Sequence, residues 1–405
     1  MSIGIRRTPQ ADEIYRFRSI DALIGPRKEL SRQTIYLARP DELNDLAEDT
    51  VNVVWQGDDV LWANLITYYW RSLLLSTTTG DMFLPGYHFI PRHLTLEDPP
   101  LGPLINEGVA HLRRDYETQR ETAFSKLRQS KDPVSGYDLS GILSPLTPRP
   151  NQPPYFITNA SMLASFPRRF VNALGKVLLS EWGVACFTKD FTNPFLWSSY
   201  ADNHSGVCLI FQRNLLRGLG ESKLSPGVEL EDVTYDTEKP EIEFFANLPR
   251  LTMSEYAKLF TAEDGSLSPL CPYLPEERSV IEEANSRQHA FARKNLLLKQ
   301  KYWEAEQEVR MFNLFYFHGR MTSDPSEHTV QYPIGALKGI IFGSRVSESD
   351  RQSVLDVILS KHYVSSMRAD FYFWEAELQP NGSILRNLYQ PYLGWRKDFM
   401  YPRER

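Results

Sequence analysis

The stretch Trp197-Ser-Ser-Tyr-Ala-Asp-Asn-His-Ser-Gly-Val-Cys-Leu-Ile-Phe211 runs from a polar, aromatic-rich segment through Gly206 into an unbroken apolar run. Val207 to Phe211 is short and has no polar alternation, the pattern of a strand covered on both faces. Whatever precedes it is therefore held by the core, and Tyr200, Asp202, Asn203 and His204 are expected on a rigid rim. Upstream, Gly183-Val-Ala-Cys-Phe-Thr188 is a second apolar run, and Asn193-Pro194 is a turn that starts a short helix with Trp197 and Tyr200 on one face. Taken singly, Trp197 and Tyr200 read as core aromatics and His204 as a surface histidine. Their density beside two buried strands makes the segment a candidate site.

The chain has 405 residues, 42% hydrophobic and 24% charged, the composition of a globular protein able to bury a large core. Its 45 Lys and Arg against 51 Asp and Glu give a formal charge of -6, so no global basic field holds nucleic acid by phosphate neutralisation. Cys186, Cys208 and Cys271 are too few and scattered for a disulfide framework. Two of them lie in apolar strand-like runs where a thiol acts as a small hydrophobe, and a reducing cytoplasm fits best. The opening Met-Ser-Ile-Gly-Ile-Arg-Arg lacks the apolar centre of a signal peptide, and no run approaches the ~20 apolar residues of a spanning helix. No membrane segment is expected.

Ile14-Tyr-Arg-Phe-Arg-Ser-Ile20 alternates, which predicts a strand with Tyr15 and Phe17 on one face and Arg16 and Arg18 on the other. Ile35 to Ala38 is a second strand, followed by a turn in which Asn44 and Asp45 cap a helix or line a cleft. Residues 51–75 and 104–129 read as helices. Residues 132–154, rich in Pro, Ser and Gly, read as an exposed connector. Strands are expected over 228–235, 339–343 and 371–378, and helices over 170–179, 241–260, 275–301 and 349–361. Glu306, Glu308 and Arg310 fall at period two, so in a strand all three face one way. Such trios are as often solvated salt-bridge ladders as sites. The expected organisation is one α+β domain over 1–385 with a helical and loop insertion at about 51–180, then a basic, aromatic tail over 386–405.

The sequence has no Cys-x-x-Cys, no His-x-x-x-His and no cation loop, so no metal site is predicted. Phosphate-binding glycine loops and a serine-hydrolase elbow are also missing. What remains is an arginine strand near the start, the aromatic turn in the middle, and a Glu-x-Glu-x-Arg strand late in the chain.

Several motifs occur in order: Tyr15-Arg-Phe-Arg-Ser19, Leu43-Asn-Asp45, Cys186-Phe-Thr188 with Pro194, Trp197 to Gly206, Trp303 with Glu306-Gln-Glu-Val-Arg310, and Ile340-Ile-Phe-Gly343. Together they resemble the bacterial domain-of-unknown-function 2971 family. Ser199 stands where many members carry histidine, and Leu46 where proline is common. The family's layout resembles in turn the ADP-ribosyltransferase fold, a split β-sheet core, with its nucleic-acid-modifying toxins. That resemblance implies transfer of ADP-ribose from NAD to a macromolecule, RNA, DNA or protein, by a bacterial toxin or anti-phage defence effector with an antitoxin or inhibitor partner. It implies Glu308 as the catalytic carboxylate, Glu306 as the group acting on the acceptor, Arg16 as a cofactor ligand and Tyr200 as the aromatic neighbour of nicotinamide. Tyr15, Trp197, His204 and Asn44 complete the implied cofactor set.

The chemistry suits those residue types. Cleaving the bond between nicotinamide and ribose builds positive charge, which a carboxylate stabilises. Arginine forks onto phosphate or ribose oxygens, and an aromatic face stacks on a pyridine ring. Glu306 beside Glu308 is expected to raise one of their two pKa values. Two rivals stay open: a metal-dependent nuclease built from Asp202, His204, Glu306 and Glu308, and a non-enzymatic binding module using the same cleft.

Overall fold

The computed structural model describes residues 8–39, 42–45, 50–79, 103–147, 160–178, 181–222, 225–248, 259–271, 278–315, 328–359 and 371–389. The chain is mixed α and β, and it divides into two compact units. Unit 1 takes Met1–Asp49, Glu181–Glu238 and Leu296–Arg405; unit 2 takes Thr50–Ser180 and Lys239–Asn295. The division differs from one domain with a single insertion at 51–180, because residues 239–295 join the second unit. Local pairing gives the reason: Asn52–Trp55 runs parallel to Glu241–Glu243 and antiparallel to Val134–Ser135.

Unit 1 is built on an eight-stranded sheet. Its strands are β1 (Glu13–Arg18), β2 (Glu181–Thr188), β3 (Val207–Gln212), β4 (Glu229–Asp232), β5 (Glu308–Phe315), β6 (Leu337–Phe342), β7 (Tyr372–Leu378) and β8 (Ile384–Leu388). They lie in the order β8-β7-β6-β3-β1-β2-β5-β4, and only β6 and β7 pair in parallel. That pair needs a long crossover, which contains the helix Glu348–Leu359. The apolar run after Gly206 is the buried strand β3. Val207, Leu209 and Phe211 enter one core, while Cys208 and Ile210 enter another with Tyr15, Phe17, Phe191 and Trp197.

The sheet is not uniformly zipped. β1 pairs with β3 along its whole length, from Glu13 opposite Gln212 to Arg18 opposite Val207. With β2 it shares the single register pair Tyr15 and Thr188. β2 and β5, in contrast, pair over all eight residues from Thr188 opposite Glu308 to Glu181 opposite Phe315. The sheet therefore opens between β1 and β2.

Unit 2 packs the helices Asp59–Thr79, Pro103–Gln129, Gly136–Leu143 and Ala160–Val177 around a core rich in aromatic residues. Trp70 stacks on Tyr116, and Tyr69 meets Phe166 and Phe170 edge to face. The expected helix over 51–75 begins only at Asp59, since the β-branched Val53-Val54 pair forms a strand. The expected connector over 132–154 contains the helix Gly136–Leu143, capped by the Ser135 hydroxyl accepting from the Asp138 backbone N–H. Residues 241–248 form a strand and a short turn instead of a helix. The expected tail at 386–405 begins inside β8, where Arg386 pairs in register with Ala376; residues 390–405 lie outside the described residues.

Candidate functional site

A cavity of about 280 Å³ occupies the opening between β1 and β2, lined from both strands by residues 15–18 and 184–188. Asn44, Tyr200, Lys299, Trp303, Glu306 and Glu308 close its other walls. Motifs from the beginning of the chain, from its middle and from around residue 300 thus meet at one concave surface.

The carboxylate wall comes from a tight chain reversal. The strand Leu298–Gln300 runs into the 3-10 turn Lys301–Glu306, and Gln307 then takes the left-handed conformation, φ 44°, before β5 begins at Glu308. Glu306 is therefore in the turn and not on the strand, a correction to the period-two reading. The reversal is pinned at three points. Thr188 Oγ1 donates to the Glu306 carbonyl at 2.6 Å, Asn193 Nδ2 to the Ala305 carbonyl at 3.0 Å, and the Glu308 amide to the Tyr235 hydroxyl at 2.7 Å.

Around this turn four buried charges meet. Lys299 Nζ lies 2.6 Å from Glu306 Oε2 and 2.9 Å from Glu308 Oε2, and Arg310 Nε donates to Glu308 Oε1 at 2.8 Å. This is not a solvated ladder: Glu306, Glu308, Lys299 and Arg310 are all buried. Burial disfavours an ionised Glu308, but Arg310 and Lys299, with hydrogen bonds from Arg310 and the Cys186 thiol, outweigh it and bring its pKa down to about 2. Adjacent carboxylates do not raise Glu308, because two cations intervene. Glu308 is therefore ionised at neutral pH.

Tyr200 reaches the same wall from the helix Pro194–Tyr200, which starts as its sequence predicts. Asn193 Oδ1 accepts from the Phe195 amide and Pro194 occupies the first turn. The Tyr200 hydroxyl donates to Glu306 Oε1 at 3.0 Å, and burial, followed by the Glu306 charge, raises its pKa.

Arg16 forms the opposite wall. It is 6% exposed, donates from Nη2 to the Tyr36 carbonyl at 3.0 Å, and lies over the Phe187 ring at 5.7 Å. Among the described residues no carboxylate is within ion-pair distance of it. Burial, then the neighbouring Arg18, lowers its pKa to about 10, which leaves it fully charged at neutral pH. By register Arg16 sits opposite Leu209, on the sheet face away from the row Ile210, Tyr15, Thr188 and Glu308. It shares a cavity with Glu308 only because the sheet is open at this place.

The remaining sequence candidates divide. Asn44 lines the cavity beside Asp45, whose Oδ2 accepts from Trp303 Nε1 at 3.0 Å. Tyr15 borders the cavity, but its hydroxyl is bound to Glu13 and its ring packs on Phe191. Trp197 does not line the cavity: it is fully buried, with Nε1 donating to the Phe191 carbonyl at 2.7 Å. His204 also lies away from the cavity lining and stacks on Trp197, with ring planes 6° apart. Asp202, Asn203 and His204 have φ of 48°, 52° and 70°, a left-handed turn tied to the helix by Asn203 and His204 amide bonds to the Ser198 and Trp197 carbonyls. The segment Trp197 to Gly206 is thus mostly architecture that presents one side chain, Tyr200, to the cavity.

Sequence reasoning missed Lys299 and misread Cys186. Lys299 follows Leu296-Leu-Leu298, and a lone lysine closing an apolar run was the available signal. Cys186 was expected to be a buried hydrophobe; it is exposed and lines the cavity, whereas Cys208 is fully buried. Asp202 and His204 do not join Glu306 and Glu308 there. Among the described residues no group of three or more His, Cys, Asp or Glu side chains is arranged to hold a metal ion, and no helix is long and apolar enough to cross a membrane.

Fold and site together define a mixed α and β protein whose opened sheet encloses a charged cavity. Residues 196–311 match the model of the DUF2971 family, described as protein of unknown function, which supports the resemblance to that family. The matched stretch carries Tyr200, Lys299, Trp303, Glu306 and Glu308, while Arg16 lies before it. No curated protein and no solved structure matches the chain.

Proposed function

We propose that the cavity cleaves the bond between nicotinamide and ribose of NAD and transfers ADP-ribose to a macromolecular acceptor. The observation that carries this reading is the meeting of a buried arginine that has no carboxylate partner among the described residues, an aromatic hydroxyl and an ionised glutamate around one opening in a sheet. Departure of nicotinamide leaves positive charge on the ribose, and a carboxylate fixed in a water-poor wall stabilises that charge without reorganising. Glu308, with a pKa of about 2, stays ionised at every physiological pH and suits this electrostatic task better than proton transfer. Arg16 has donors left after its single bond to Tyr36 and faces the same space, a fit for phosphate or ribose oxygens.

Tyr200 and Trp303 offer aromatic faces for the pyridine ring. Glu306, whose carboxylate is held by Lys299 and the Tyr200 hydroxyl, stands where it can orient an incoming nucleophile. At about 280 Å³ the cavity is just below the size of ligand pockets, roughly 300–1,000 Å³, which suits a nucleoside-sized half of NAD with the rest extending outward. Roles as a bacterial toxin or defence effector, and an antitoxin partner, follow from the family resemblance alone.

The test is incubation of purified protein with NAD, alone and with RNA, DNA or protein fractions, reading free nicotinamide and labelled acceptor. Nicotinamide release that depends on Glu308, with label on one acceptor class, is the expected result. Tight NAD binding without release would point to a recognition module, and neither binding nor release would end the NAD reading.

A further inference from the structure

The cavity wall holds two glutamates whose carboxylates would repel each other if only their own strand and turn positioned them. Lys299 Nζ is within 2.9 Å of an oxygen from each, so those oxygens lie close together in a buried wall. Arg310 is committed to Glu308, with Nε on Oε1 and Nη2 on Oε2 at 2.8 and 3.3 Å and its other terminal nitrogen on the Leu296 carbonyl. Glu306 has the Tyr200 phenol and Lys299, and among the described residues Lys299 is its only cation. The stem of Lys299 is fixed in turn. It lies in Leu298–Gln300, paired in parallel with Thr234–Asp236, and its ammonium sits 4.9 Å from the centre of the Trp303 ring.

We propose that Lys299 is a positioning residue: its ammonium holds Glu306 and Glu308 side by side, both ionised, on the cavity wall. Among the described residues, the groups around this ammonium and its two carboxylates are Glu306 and Trp303 from the turn, Glu308 and Arg310 from β5, Tyr200 from its helix, Tyr235 from the paired strand and Cys186 from β2. Of these only Arg310 carries positive charge, and its bonds go to Glu308 and the Leu296 carbonyl. Removing Lys299 leaves the Glu306 carboxylate buried with one neutral donor beside a second carboxylate, which raises its affinity for a proton. The proposal concerns the charge state of this wall and stands apart from the identity of the ligand.

The experiment follows the side-chain carboxyl carbons of glutamate by ¹³C NMR in wild type and in Lys299→Met. One carboxyl of the pair is expected to titrate higher in the variant by roughly 1–3 pH units, the usual effect of a nearby opposite charge. A second measurement uses a double-mutant cycle in thermal stability. Glu306→Gln is expected to lower the Tm of the wild type, where it breaks an ion pair, and to raise the Tm of Lys299→Met, where it removes an uncompensated charge. If Lys299→Met does not fold, Lys299→Met/Glu306→Gln is expected to recover folding. An unmoved carboxyl titration, a Glu306→Gln change that lowers Tm in both backgrounds, or a double variant that stays unfolded would each overturn the proposal. Neither readout requires NAD cleavage, so nicotinamide release by the wild type separates this result from the fate of the transferase reading.

Discussion

Replacing Glu308 with glutamine keeps its volume and removes one charge from a buried cluster, which should cost folding stability as well as activity. The folded pKa of about 2 lies below the ordinary value of 4.5, so ionised Glu308 contributes about 3 kcal/mol at neutral pH at 1.36 kcal/mol per pH unit. Since the shift is downward, this stability is fully present above about pH 4.5 and is lost as the pH falls towards about 2. The structure gives a second route to the magnitude. Glu308→Gln leaves Lys299 with Glu306 but strands Arg310, fully buried, against a neutral amide, and breaking a buried pair costs about 3–5 kcal/mol. For a unit of this size that corresponds to a Tm lower by about 6–20 °C.

Thermal denaturation from pH 2 to 7 measures both quantities. The wild type should lose the increment in acid, and Glu308→Gln should lack that part of the acid dependence. Nicotinamide release, measured well below the Tm of both proteins, should fall by about 10²-fold or more. A variant within about 1 kcal/mol of wild type that keeps the same acid limb would refute the account of the cluster. A variant that is fully active would refute the role of Glu308 in the proposed reaction.

Arg16→Met should raise the KM for NAD at least tenfold while leaving Tm nearly unchanged, because no carboxylate loses a partner; a large stability loss with unaltered KM would make Arg16 a core residue. Tyr200→Phe deletes the bond to Glu306 and should cost about 1 kcal/mol with a modest loss of activity, whereas Tyr200→Ala also removes the ring and should cost far more activity; equal effects would argue against stacking. Gly206→Ala would place a Cβ 2.4 Å from the Arg18 carbonyl oxygen and 3.0 Å from that of Ala201, so thermal unfolding should come earlier by about 1–3 kcal/mol of stability; an unchanged Tm would mean that the turn gives way freely.

Local pattern alone determined most of the sheet. The apolar run after Gly206, the alternation in Tyr15-Arg-Phe-Arg and the glycine-bounded Ile340-Ile-Phe strand were legible because a strand's side-chain period is short and needs no distant partner to be seen. The helix starting at Pro194 was legible for the same reason, its cap and first turn being written in two adjacent residues. What only the tertiary structure decided is where those strands separate. Arg16 and Glu308 lie on opposite faces of the sheet by register, and nothing local to β1 or β2 records that they share one paired position and then part. The parting creates the cavity and lets both residues line it. Lys299 became part of the site in the same way: a lysine ending an apolar run is locally unremarked, and its two glutamates acquire it only when the turn at Gln307 folds back. Trp197 and His204 show the converse, since a dense polar and aromatic motif reads like a binding site until packing assigns its rings to a turn and a core. Charge complementarity and strand separation are properties of contacts far apart in the chain, and sequence periodicity carries no information about them.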